Sequence, residues 1–271
     1  MFISVIVPTY KPQKYLWECL SSLDKQTFSH SDFEVILVLN GCNEPYSSQI
    51  RTWISEHQLN INFIQLDQGG VSNARNVALG VAKGEYITFI DDDDFVSSSY
   101  LELLYKKASI ETISIAYPYA FCEENQEQIK YRLTDVFEKY VFNDNLSFLQ
   151  VKSFFSGPWM KLIHRDIINN RRFNPQFSIG EDSLFNYAIS DKYGKMIFAD
   201  KEAIYYRRYR GGSALLSHRT KLDIIQNGLR LQYAVLSIFF SNLFNYDLNI
   251  TLSYLWSIMK GTVFNIFFKI K

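Results

Sequence analysis

The sequence has few of the residues that build zinc sites and disulfide frameworks. Only three of its 271 residues are cysteines, and Cys19, Cys42 and Cys122 stand far apart, with no CxxC spacing. The four histidines show no ligand spacing either. This pattern argues against a zinc site and a disulfide frame, and it is typical of proteins from a reducing compartment.

Three further absences narrow the classes of ligand and location. Basic and acidic residues balance at 28 each, so no overall electric field favours nucleic acid as a partner. The Gly-rich phosphate fingerprints GxGxxG and GxxxxGK are absent, which argues against a dinucleotide fold and a P-loop. Met1 leads directly into an apolar run without a basic segment, so we expect no signal peptide and a cytoplasmic location.

The first third of the chain alternates between strands and helices. Apolar runs predict strands at residues 2–7, 34–39, 61–66 and 86–90. Apolar residues at helical spacing predict helices at residues 13–25, 47–57 and 71–82. In the last of these helices we expect Ala74, Ala78 and Val81 to face the core. The alternation predicts an α/β fold, with a mostly parallel central sheet flanked by helices on both faces.

Four loops follow the carboxyl ends of these strands, and ligands of parallel sheets bind beyond such ends. The loops comprise residues 8–10, 40–41, 67–70 and 91–94. We therefore expect them to converge on one rim that carries a binding site. From about residue 112 the pattern becomes irregular, and beyond about residue 218 it is helical and aromatic.

Four aspartates, from Asp91 to Asp94, directly follow the central strand. Two like charges about 4 Å apart repel by roughly 1 kcal/mol in water and by more near a protein surface. A divalent cation that prefers oxygen ligands, Mn²⁺ or Mg²⁺, would offset this repulsion. The alternative is an acidic turn before the next helix, with Ser99 and Glu102 as the capping box of that helix.

Two groups of cationic residues are candidates for binding phosphate. Arg75 lies in the first turns of a predicted helix after a Gly-Gly loop, a place that suits anions. It is either a phosphate clamp or an ordinary surface arginine. Arg207, Arg208 and Arg210 precede a Gly-Gly-Ser segment and predict a flexible cationic loop. That loop is either a solvated charge run or a cover that closes over phosphates.

Two further pairs of residues have one structural and one functional interpretation. Glu181 and Asp182 open a predicted helix, where acidic residues are favoured by capping and by the helix dipole, and a catalytic role is the alternative. Trp159 and Lys161 form one wall of a sugar pocket in the functional interpretation, because C–H faces of sugars stack on aromatic rings. In the structural interpretation, Trp159 packs in the core.

Six segments together resemble family 2 glycosyltransferases with the GT-A fold. They occur in the order typical of that family and span about residues 1 to 215. Each is weak alone, but six in order are highly specific. The segments are SVIVPTY at 4–10, GVSNARN at 70–76, FIDDDD at 89–94, PWMKL at 158–162, GEDSLF at 180–185 and RYRGGS at 208–213.

The resemblance implies how a nucleotide-sugar donor is held. The residues that line its nucleoside pocket would be Pro8, Thr9 and Tyr10. The residues that hold its phosphates would be Arg75, Arg208 and Ser213. Asp91, Asp92 and Asp93 match the DxD motif of the family. Asp91 would touch the ribose, Asp92 would belong to the donor site, and Asp93 would ligate the manganese or magnesium bound to the diphosphate.

The resemblance also implies how the acceptor reacts. Asp182 would be the general base of an inverting, single-displacement transfer, because an acceptor hydroxyl is a poor nucleophile and needs a carboxylate within hydrogen-bond reach. The residues that contact the acceptor would be Trp159, Lys161 and Glu181. The implied acceptor is a hydroxyl group of a glycan or of a lipid-linked saccharide, in the synthesis of a cell-surface polysaccharide.

One position departs from the family pattern. The loop after the second strand usually ends in an aspartate that pairs with uracil, and here Asn40 takes its place. The amide of an asparagine still offers a donor and an acceptor to a base edge. A UDP-sugar remains the expected donor, with Asn40 among its binding residues.

Two other functions are possible on the sequence. A sugar-1-phosphate nucleotidyltransferase would carry a Gly-rich, basic loop after the first strand, and residues 8–12 (PTYKP) do not match it. A non-catalytic, membrane-associated scaffold on a decayed transferase fold is the second alternative. The intact Arg75, Asp91, Asp93 and Asp182 count against decay.

The resemblance and the helical tail predict the domain organisation. We expect a glycosyltransferase domain over residues 1–217, with a nucleotide-sugar half at about 1–110 and an acceptor half at about 111–217. A helical C-terminal extension would follow over residues 218–271.

Residues 248–271 contain no acidic residue, and their polar positions trace a narrow stripe at helical spacing. The stripe consists of Asn249, Ser253, Ser257, Lys260, Asn265 and Lys269. No charge-free apolar run here reaches the roughly 18 residues that span a bilayer. We therefore expect an amphipathic helix on the inner face of the cell membrane, where a lipid-linked acceptor would lie. The alternative is a helix packed on the domain or in a homodimer.

Overall fold

The computed structural model describes residues 1–210 and 220–268, and it contains one large and one small β-sheet. Apolar and β-branched runs form the strands because such side chains pack well on a pleated, buried surface. The strands are β1 (Ile3–Thr9), β2 (Phe33–Asn40), β3 (Ile61–Leu66), β4 (Tyr86–Phe89), β5 (Phe95–Val96), β6 (Thr112–Ile115), β7 (Tyr117–Cys122), β8 (Lys161–His164), β9 (Lys195–Phe198) and β10 (Ile204–Tyr209).

The large sheet has seven strands in the order β3-β2-β1-β4-β8-β6-β9. The pairs β1–β2, β1–β4, β2–β3 and β6–β9 are parallel, whereas β8 runs antiparallel to β4 and β6. The predicted mostly parallel central sheet is therefore confirmed. Because β1 to β4 run in the same direction, their carboxyl ends lie along one edge of the sheet.

The helices of the described chain flank these sheets. They are α1 (Lys14–Asp24), α2 (Tyr46–Glu56), α3 (Val71–Val81), α4 (Tyr100–Lys107), α5 (Arg132–Tyr140), α6 (Phe148–Val151), α7 (Arg165–Ile168), α8 (Glu181–Ala188), α9 (Lys221–Ser241) and α10 (Leu248–Phe268). Up to β4, each strand and helix begins and ends within about two residues of its predicted bounds. The periodicity of apolar residues is therefore a reliable guide over this part of the chain.

Two local expectations are wrong. Val81 is exposed, because it is the last residue of α3, whereas Ala74 and Ala78 face the core as expected. Ser99 and Glu102 form no capping box at the start of α4. The Ser99 hydroxyl donates to the main-chain oxygen of Glu202 at 2.9 Å, and the carboxylate of Glu102 accepts a hydrogen bond from Thr27. Partners distant in sequence thus replace the local cap.

The small sheet has the order β5-β10-β7. Its central strand, β10, is antiparallel to β5 and parallel to β7. Arg207 and Arg208 lie in β10, so the predicted flexible loop is wrong for these two residues. Arg210 directly follows the strand, and Ser213 lies outside the described residues.

Helices α9 and α10 pack against each other and against the domain. A Cβ atom at Gly228 in α9 would lie 2.3 Å from the hydroxyl oxygen of Thr262 in α10, so the two helices meet closely there. Tyr254 of α10 is buried, and Lys152 donates to the Ser253 hydroxyl at 3.1 Å. The predicted helical C-terminal region is confirmed, and its boundary at residue 217 remains a prediction. None of the described helices combines the length and the apolar character that a span across a bilayer requires.

Candidate active site

The loops after β1, β2 and β3 meet at one rim, as the parallel sheet predicts. The Asn40 side-chain amide donates to the main-chain oxygen of Thr9 at 2.7 Å, and its oxygen accepts from the Gly70 amide at 2.9 Å. Gly41 adopts a φ of 70°, and a Cβ there would lie 2.6 Å from the Cα of Gly69. Only glycine combines this φ with so close a contact at low cost.

Asn40 is buried, and both the donor and the acceptor face of its amide bind main-chain groups. The structure therefore gives no support to the predicted contact between Asn40 and a nucleobase. Its observed role is to tie the three loops together. An aspartate at this position could accept from the Gly70 amide but could not donate to Thr9.

Of the three residues expected to line a nucleoside pocket, only Tyr10 is exposed. Pro8 and Thr9 are the last two residues of β1 and are buried, because the strand continues beyond its predicted end. The Thr9 hydroxyl donates to the Asp92 carboxylate. Burial raises the pKa of Asp92 to about 7, although the Thr9 hydrogen bond opposes this shift.

Three of the four consecutive aspartates gather into a cluster at the end of β4. Asp91, Asp93 and Asp94 each place a carboxylate oxygen within 4.8 Å of the others. Burial and the charges of its neighbours raise the pKa of Asp93, and they raise that of Asp94 well above its ordinary range. A bound cation would offset both the repulsion and the burial, so these oxygen ligands fit Mn²⁺ or Mg²⁺.

Arg75 links this acidic cluster to the start of α8. Its guanidinium donates to Asp182 at 2.6 Å and to Asp91 at 3.0 Å, and it lies 5.3 Å from the centre of the Phe173 ring. The side chain is buried, and its Nε makes no hydrogen bond in the described structure. Arg75 is thus a fixed cation inside the site. The alternative interpretation of Arg75, as an ordinary surface arginine, is excluded.

Asp182 lies in the first turn of α8 with its side chain 24% exposed. Burial raises the pKa of this carboxyl to about 7, although the positive charge of Arg75 lowers it. Asn186, one turn later, donates to the main-chain oxygens of Asp182 and Gly157, both at 3.0 Å. The helix start is therefore anchored to the turn before β8, and burial shifts the pKa of the Asp182 carboxyl towards neutral pH.

The phosphate-binding role predicted for Arg208 has to be corrected. Its guanidinium pairs with Glu18 and Glu123. Its Nε donates to the main-chain oxygen of Asp93 at 2.9 Å, and its main-chain amide donates to Asp94 at 2.8 Å. Two carboxylates already neutralise this buried cation, so Arg208 positions the aspartate turn instead of offering a free charge.

Arg210 lies closer to the predicted metal ligand. Its Nη2 donates to the carboxylate of Asp93 at 3.0 Å, and its Nε donates to the same oxygen at 3.2 Å. The ion pair is partly exposed. Among the described arginines of the predicted cationic loop, Arg210 is the one placed to reach a diphosphate bound at the acidic cluster.

Lys161 does not face a sugar pocket. It is fully buried in β8, and its ammonium donates to the main-chain oxygens of Phe154, Gly157 and Trp159 at 2.6, 2.7 and 3.1 Å. Burial lowers the pKa of Lys161 to about 7. All three of its donors are used, so the predicted contact with an acceptor is wrong for this residue. Trp159 is also buried, with the Arg207 guanidinium 4.5 Å from its ring centre.

We expect Lys161→Met to lower the free energy of unfolding by about 1–3 kcal/mol, because the substitution leaves buried carbonyl oxygens without a donor. Urea denaturation monitored by circular dichroism measures this change. The Michaelis constant for the acceptor should stay near that of the parent in the folded variant. A raised Michaelis constant with unchanged stability would instead restore a direct contact between Lys161 and the acceptor.

The remaining predicted acceptor residue, Glu181, is buried beside Asp182. Sequence reasoning missed three residues that shape the site, namely Glu18, Glu123 and Asn186. They come from elements distant in sequence and carried no local signal. Asp94 and Arg210 were visible as parts of the aspartate run and of the predicted cationic loop, but neither was assigned a role of its own.

Comparison with known proteins decides the family. A family model described as "Glycosyl transferase family 2" matches residues 4–193, well over half of the chain. The chain belongs to glycosyltransferase family 2. Of the six segments that resemble this family, five lie within the matched range, and the last, at residues 208–213, lies beyond it.

Two curated relatives of the chain extend well beyond the aligned region. The chain is 32% identical over 220 residues to glycosyltransferase GlyA of Streptococcus pneumoniae, an alignment that covers 77% of this chain and 31% of GlyA. It is 31% identical over 243 residues to the minor teichoic acid biosynthesis protein GgaB of Bacillus subtilis, covering 83% of this chain and 25% of GgaB. The chain thus spans about a third of the length of GlyA and about a quarter of the length of GgaB.

Solved structures of glycosyltransferases share the fold. Staphylococcus aureus TarS 1–349, in complex with UDP-GlcNAc, superposes with a TM-score of 0.73 at 24% identity, covering 98% of this chain and 73% of that one. The mannosyltransferase PcManGT from Pyrobaculum calidifontis, in complex with GDP-Man and Mn²⁺, superposes with a TM-score of 0.60 at 15% identity. This superposition covers 99% of this chain and 88% of PcManGT. The expected GT-A fold is therefore confirmed.

Proposed function

We propose that this family 2 member transfers a sugar from a nucleoside-diphosphate sugar to a hydroxyl group of a glycan or lipid-linked saccharide. The transfer inverts the anomeric centre and uses Mn²⁺ or Mg²⁺. One observation carries the proposal: Asp182, Arg75 and Asp91 form a continuous chain with contacts of 2.6 and 3.0 Å. A proton acceptor, a fixed cation and a metal-binding cluster thus adjoin one another.

The residues divide the reaction between them. Asp182 accepts the proton of the acceptor hydroxyl while the hydroxyl oxygen forms its bond to the anomeric carbon. The bond from that carbon to the diphosphate oxygen breaks, and the electron pair leaves with the nucleoside diphosphate. Arg75 and Arg210 stabilise the negative charge that develops on the leaving group. A metal bound by Asp91, Asp93 and Asp94 would neutralise part of the same charge.

A UDP-sugar is the donor we propose. TarS, with which this chain shares its fold, was crystallised with UDP-GlcNAc. The exposed ring of Tyr10 at the end of β1 offers a face on which a nucleobase can stack. PcManGT binds GDP-Man, so a guanosine diphosphate sugar is the informative comparison in any donor test.

The acceptor belongs to a cell-surface polymer in this proposal. GgaB is named for the biosynthesis of minor teichoic acid, and TarS is named as a poly(ribitol-phosphate) β-N-acetylglucosaminyltransferase. One name gives the synthesis of a teichoic acid, and the other gives transfer of a sugar to a poly(ribitol-phosphate). We propose that the enzyme acts at the inner face of the cell membrane, where a lipid-linked precursor of such a polymer would be found.

Release of nucleotide from a panel of nucleotide sugars tests the function. The panel contains UDP-GlcNAc, UDP-glucose and GDP-mannose, each with Mn²⁺, and slow donor hydrolysis is measured without acceptor. A transferase releases the nucleoside diphosphate from one of them. A nucleotidyltransferase instead releases pyrophosphate from a nucleoside triphosphate and a sugar 1-phosphate. A scaffold releases no nucleoside diphosphate above the rate of an Asp182→Asn control. The result expected of a nucleotidyltransferase and the result expected of a scaffold each contradict the proposal.

The exposed face of α10 supports the membrane location. Trp256, Val263 and Phe267 are 55%, 47% and 71% exposed, and their spacing of seven and four residues places them on one side of the helix. We expect Trp256→Ser combined with Phe267→Ser to weaken binding to phosphatidylglycerol vesicles about tenfold or more. The double substitution removes two aromatic rings that would be buried in the lipid. Vesicle flotation measures this.

The exposed Ile110, in the turn between α4 and β6, supplies the control for that measurement. The variant Ile110→Ser loses an exposed apolar side chain outside α9 and α10 and should float like the parent. Equal flotation of the parent and the Trp256 and Phe267 double variant would contradict the membrane location. Truncation is a poorer test, because α10 also contributes the buried Thr251 and Tyr254.

A further inference from the structure

A groove of about 700 Å³ lies between α9, α8 and the loop that precedes α8. Most of its wall is apolar and comes from Phe177, Leu184, Leu229 and Tyr233. A volume of this size is typical of sites for small molecules, which are mainly apolar with a few placed polar groups. The chemistry proposed for Asp182, by contrast, uses none of these side chains.

The charged groups of the groove are cationic. Arg172 and Arg230 line it together with neutral polar side chains, and its lining within the described part of the chain includes no acidic side chain. The Arg230 guanidinium lies 5.3 Å from the centre of the Phe177 ring. Within the described residues neither arginine pairs with a carboxylate, whereas the neighbouring Arg171 pairs with Asp191. Such a groove suits a ligand that has both an apolar and an anionic part.

The groove and the predicted base lie on opposite sides of α8. Leu184 and Ala188, which line the groove, follow Asp182 by two and six residues, or about 200° and 240° round the helix. A helix with its side chains is about 10–12 Å across. A ligand seated in the groove must therefore extend round the start of α8 to bring a hydroxyl group to Asp182, which a free monosaccharide is too short to do.

The groove opens onto an apolar stripe of α9. Leu229 and Tyr233, which line it, are 61% and 75% exposed. Leu222, Ile225 and Phe240 are also exposed and lie on the same side of α9, because their spacings repeat the helical period. An aliphatic chain that leaves the groove thus meets an apolar surface instead of water.

We propose that this groove is an acceptor subsite, in which Arg172 and Arg230 bind the diphosphate of a lipid-linked saccharide. Phe177 and Tyr233 would contact the start of the lipid chain, and the saccharide would extend past the start of α8 towards Asp182. The subsite gives the proposed transferase a membrane-bound, anionic acceptor as its substrate class. It rests on the proposed function for the reaction, but its binding properties can be measured without any transfer.

Farnesyl diphosphate is the probe, because it carries a diphosphate and an apolar chain and no sugar. Binding is measured by calorimetry in EDTA, so that the acidic cluster holds no metal to attract the diphosphate. The parent should bind farnesyl diphosphate more tightly than farnesol or inorganic diphosphate. Combining Arg172→Gln with Arg230→Gln should weaken binding about tenfold or more, since charge-assisted hydrogen bonds to phosphate are lost.

Two variants complete the test. Tyr233→Ser should also weaken binding of farnesyl diphosphate, and its exposed position makes misfolding no concern. Arg132→Gln, an exposed change at the start of α5, should leave binding unchanged. Equal binding by the parent and the double arginine variant would overturn the proposal. So would equal affinity for inorganic diphosphate and farnesyl diphosphate, which would indicate an anionic polymer instead of a lipid.

Failure of this subsite and failure of the proposed function give different results. Hydrolysis of the nucleotide sugar by the parent, measured without acceptor, is compared with its binding of farnesyl diphosphate. A protein that hydrolyses the donor but does not bind farnesyl diphosphate keeps its function and loses the subsite. A protein that binds the probe but releases no nucleotide from any donor loses the proposed function.

Discussion

Replacing Asp182 with asparagine is expected to lower turnover about 10²- to 10⁴-fold, the usual contribution of a general base. The amide of asparagine does not accept a proton at neutral pH, whereas it caps a helix about as well as aspartate. The variant should still fold, because Asn186 binds the main-chain oxygen at position 182 and Arg75 keeps its contact with Asp91. Transfer from the preferred UDP-sugar to a saccharide acceptor measures the loss.

The pH dependence of transfer should identify the same group. Burial raises the pKa of Asp182 to about 7. Only the deprotonated carboxylate accepts a proton, so kcat/KM of the parent should rise with pH through about 7 and level off above it. Residual transfer by Asp182→Asn should lack this rise. A profile of the same shape in both proteins would assign the titration to another residue.

Glu181 provides the matched control for Asp182→Asn. It is the neighbouring residue, about 100° away round the helix, and it is also buried. Glu181→Gln keeps the size of the side chain and removes its charge, so it should retain far more activity than Asp182→Asn. Near-parental transfer by Asp182→Asn would reduce Asp182 to a helix cap and leave the enzyme without an assigned base.

The fold was largely predictable because its signals are local. In the first ninety residues, each strand is rich in apolar residues and each helix has apolar residues at helical spacing. The small sheet could not be predicted in this way. Strands β5, β7 and β10 pair over long sequence separations, and the basic side chains of β10 resemble those of a solvated loop. Only tertiary packing shows that Arg207 is half-buried and that Arg208 is buried.

The candidate site was predictable to the extent that topology alone determines it. Asp91 and Arg75 lie at the carboxyl ends of parallel strands or at the helices that follow, so a parallel sheet brings them to one edge. Lys161 and Arg208 were misjudged because the environment of a cation depends on its partners. The carbonyl groups around Lys161, and the carboxylates Glu18 and Glu123 beside Arg208, are supplied by chain folding that no spacing reveals.

Asp93→Asn is expected to abolish the dependence of donor binding on a divalent cation, together with turnover. Asp91, Asp93 and Asp94 place carboxylate oxygens within 4.8 Å of one another, and removing one ligand charge weakens any cation bound between them. Disturbing even the surroundings of a metal commonly lowers its affinity 10- to 100-fold, so we expect a loss of about that size or larger. Calorimetry with UDP-GlcNAc in Mn²⁺, in Mg²⁺ and in EDTA measures the effect.

Asp92 supplies a control within the same turn. Its carboxylate accepts a hydrogen bond from Thr9, and it lies outside the cluster of three. Asp92→Asn also removes one negative charge from the aspartate run. We expect it to keep the dependence of donor binding on Mn²⁺ or Mg²⁺. If Asp92→Asn and Asp93→Asn both lost the dependence of donor binding on the cation, that dependence would come from the total charge of the aspartate run. It would not come from the cluster of Asp91, Asp93 and Asp94.

An acidic turn without metal makes a different prediction for the same variant. Asp93 would then serve only its ion pair with Arg210, in which the two side chains are 29% and 33% exposed. Such a pair contributes up to about 1 kcal/mol, so a stability measurement separates the two interpretations poorly. Donor binding in EDTA separates them well. With a metal site, EDTA reduces the parent to the level of Asp93→Asn. With an acidic turn, the parent keeps full donor affinity and full activity in excess EDTA, and the metal assignment is lost.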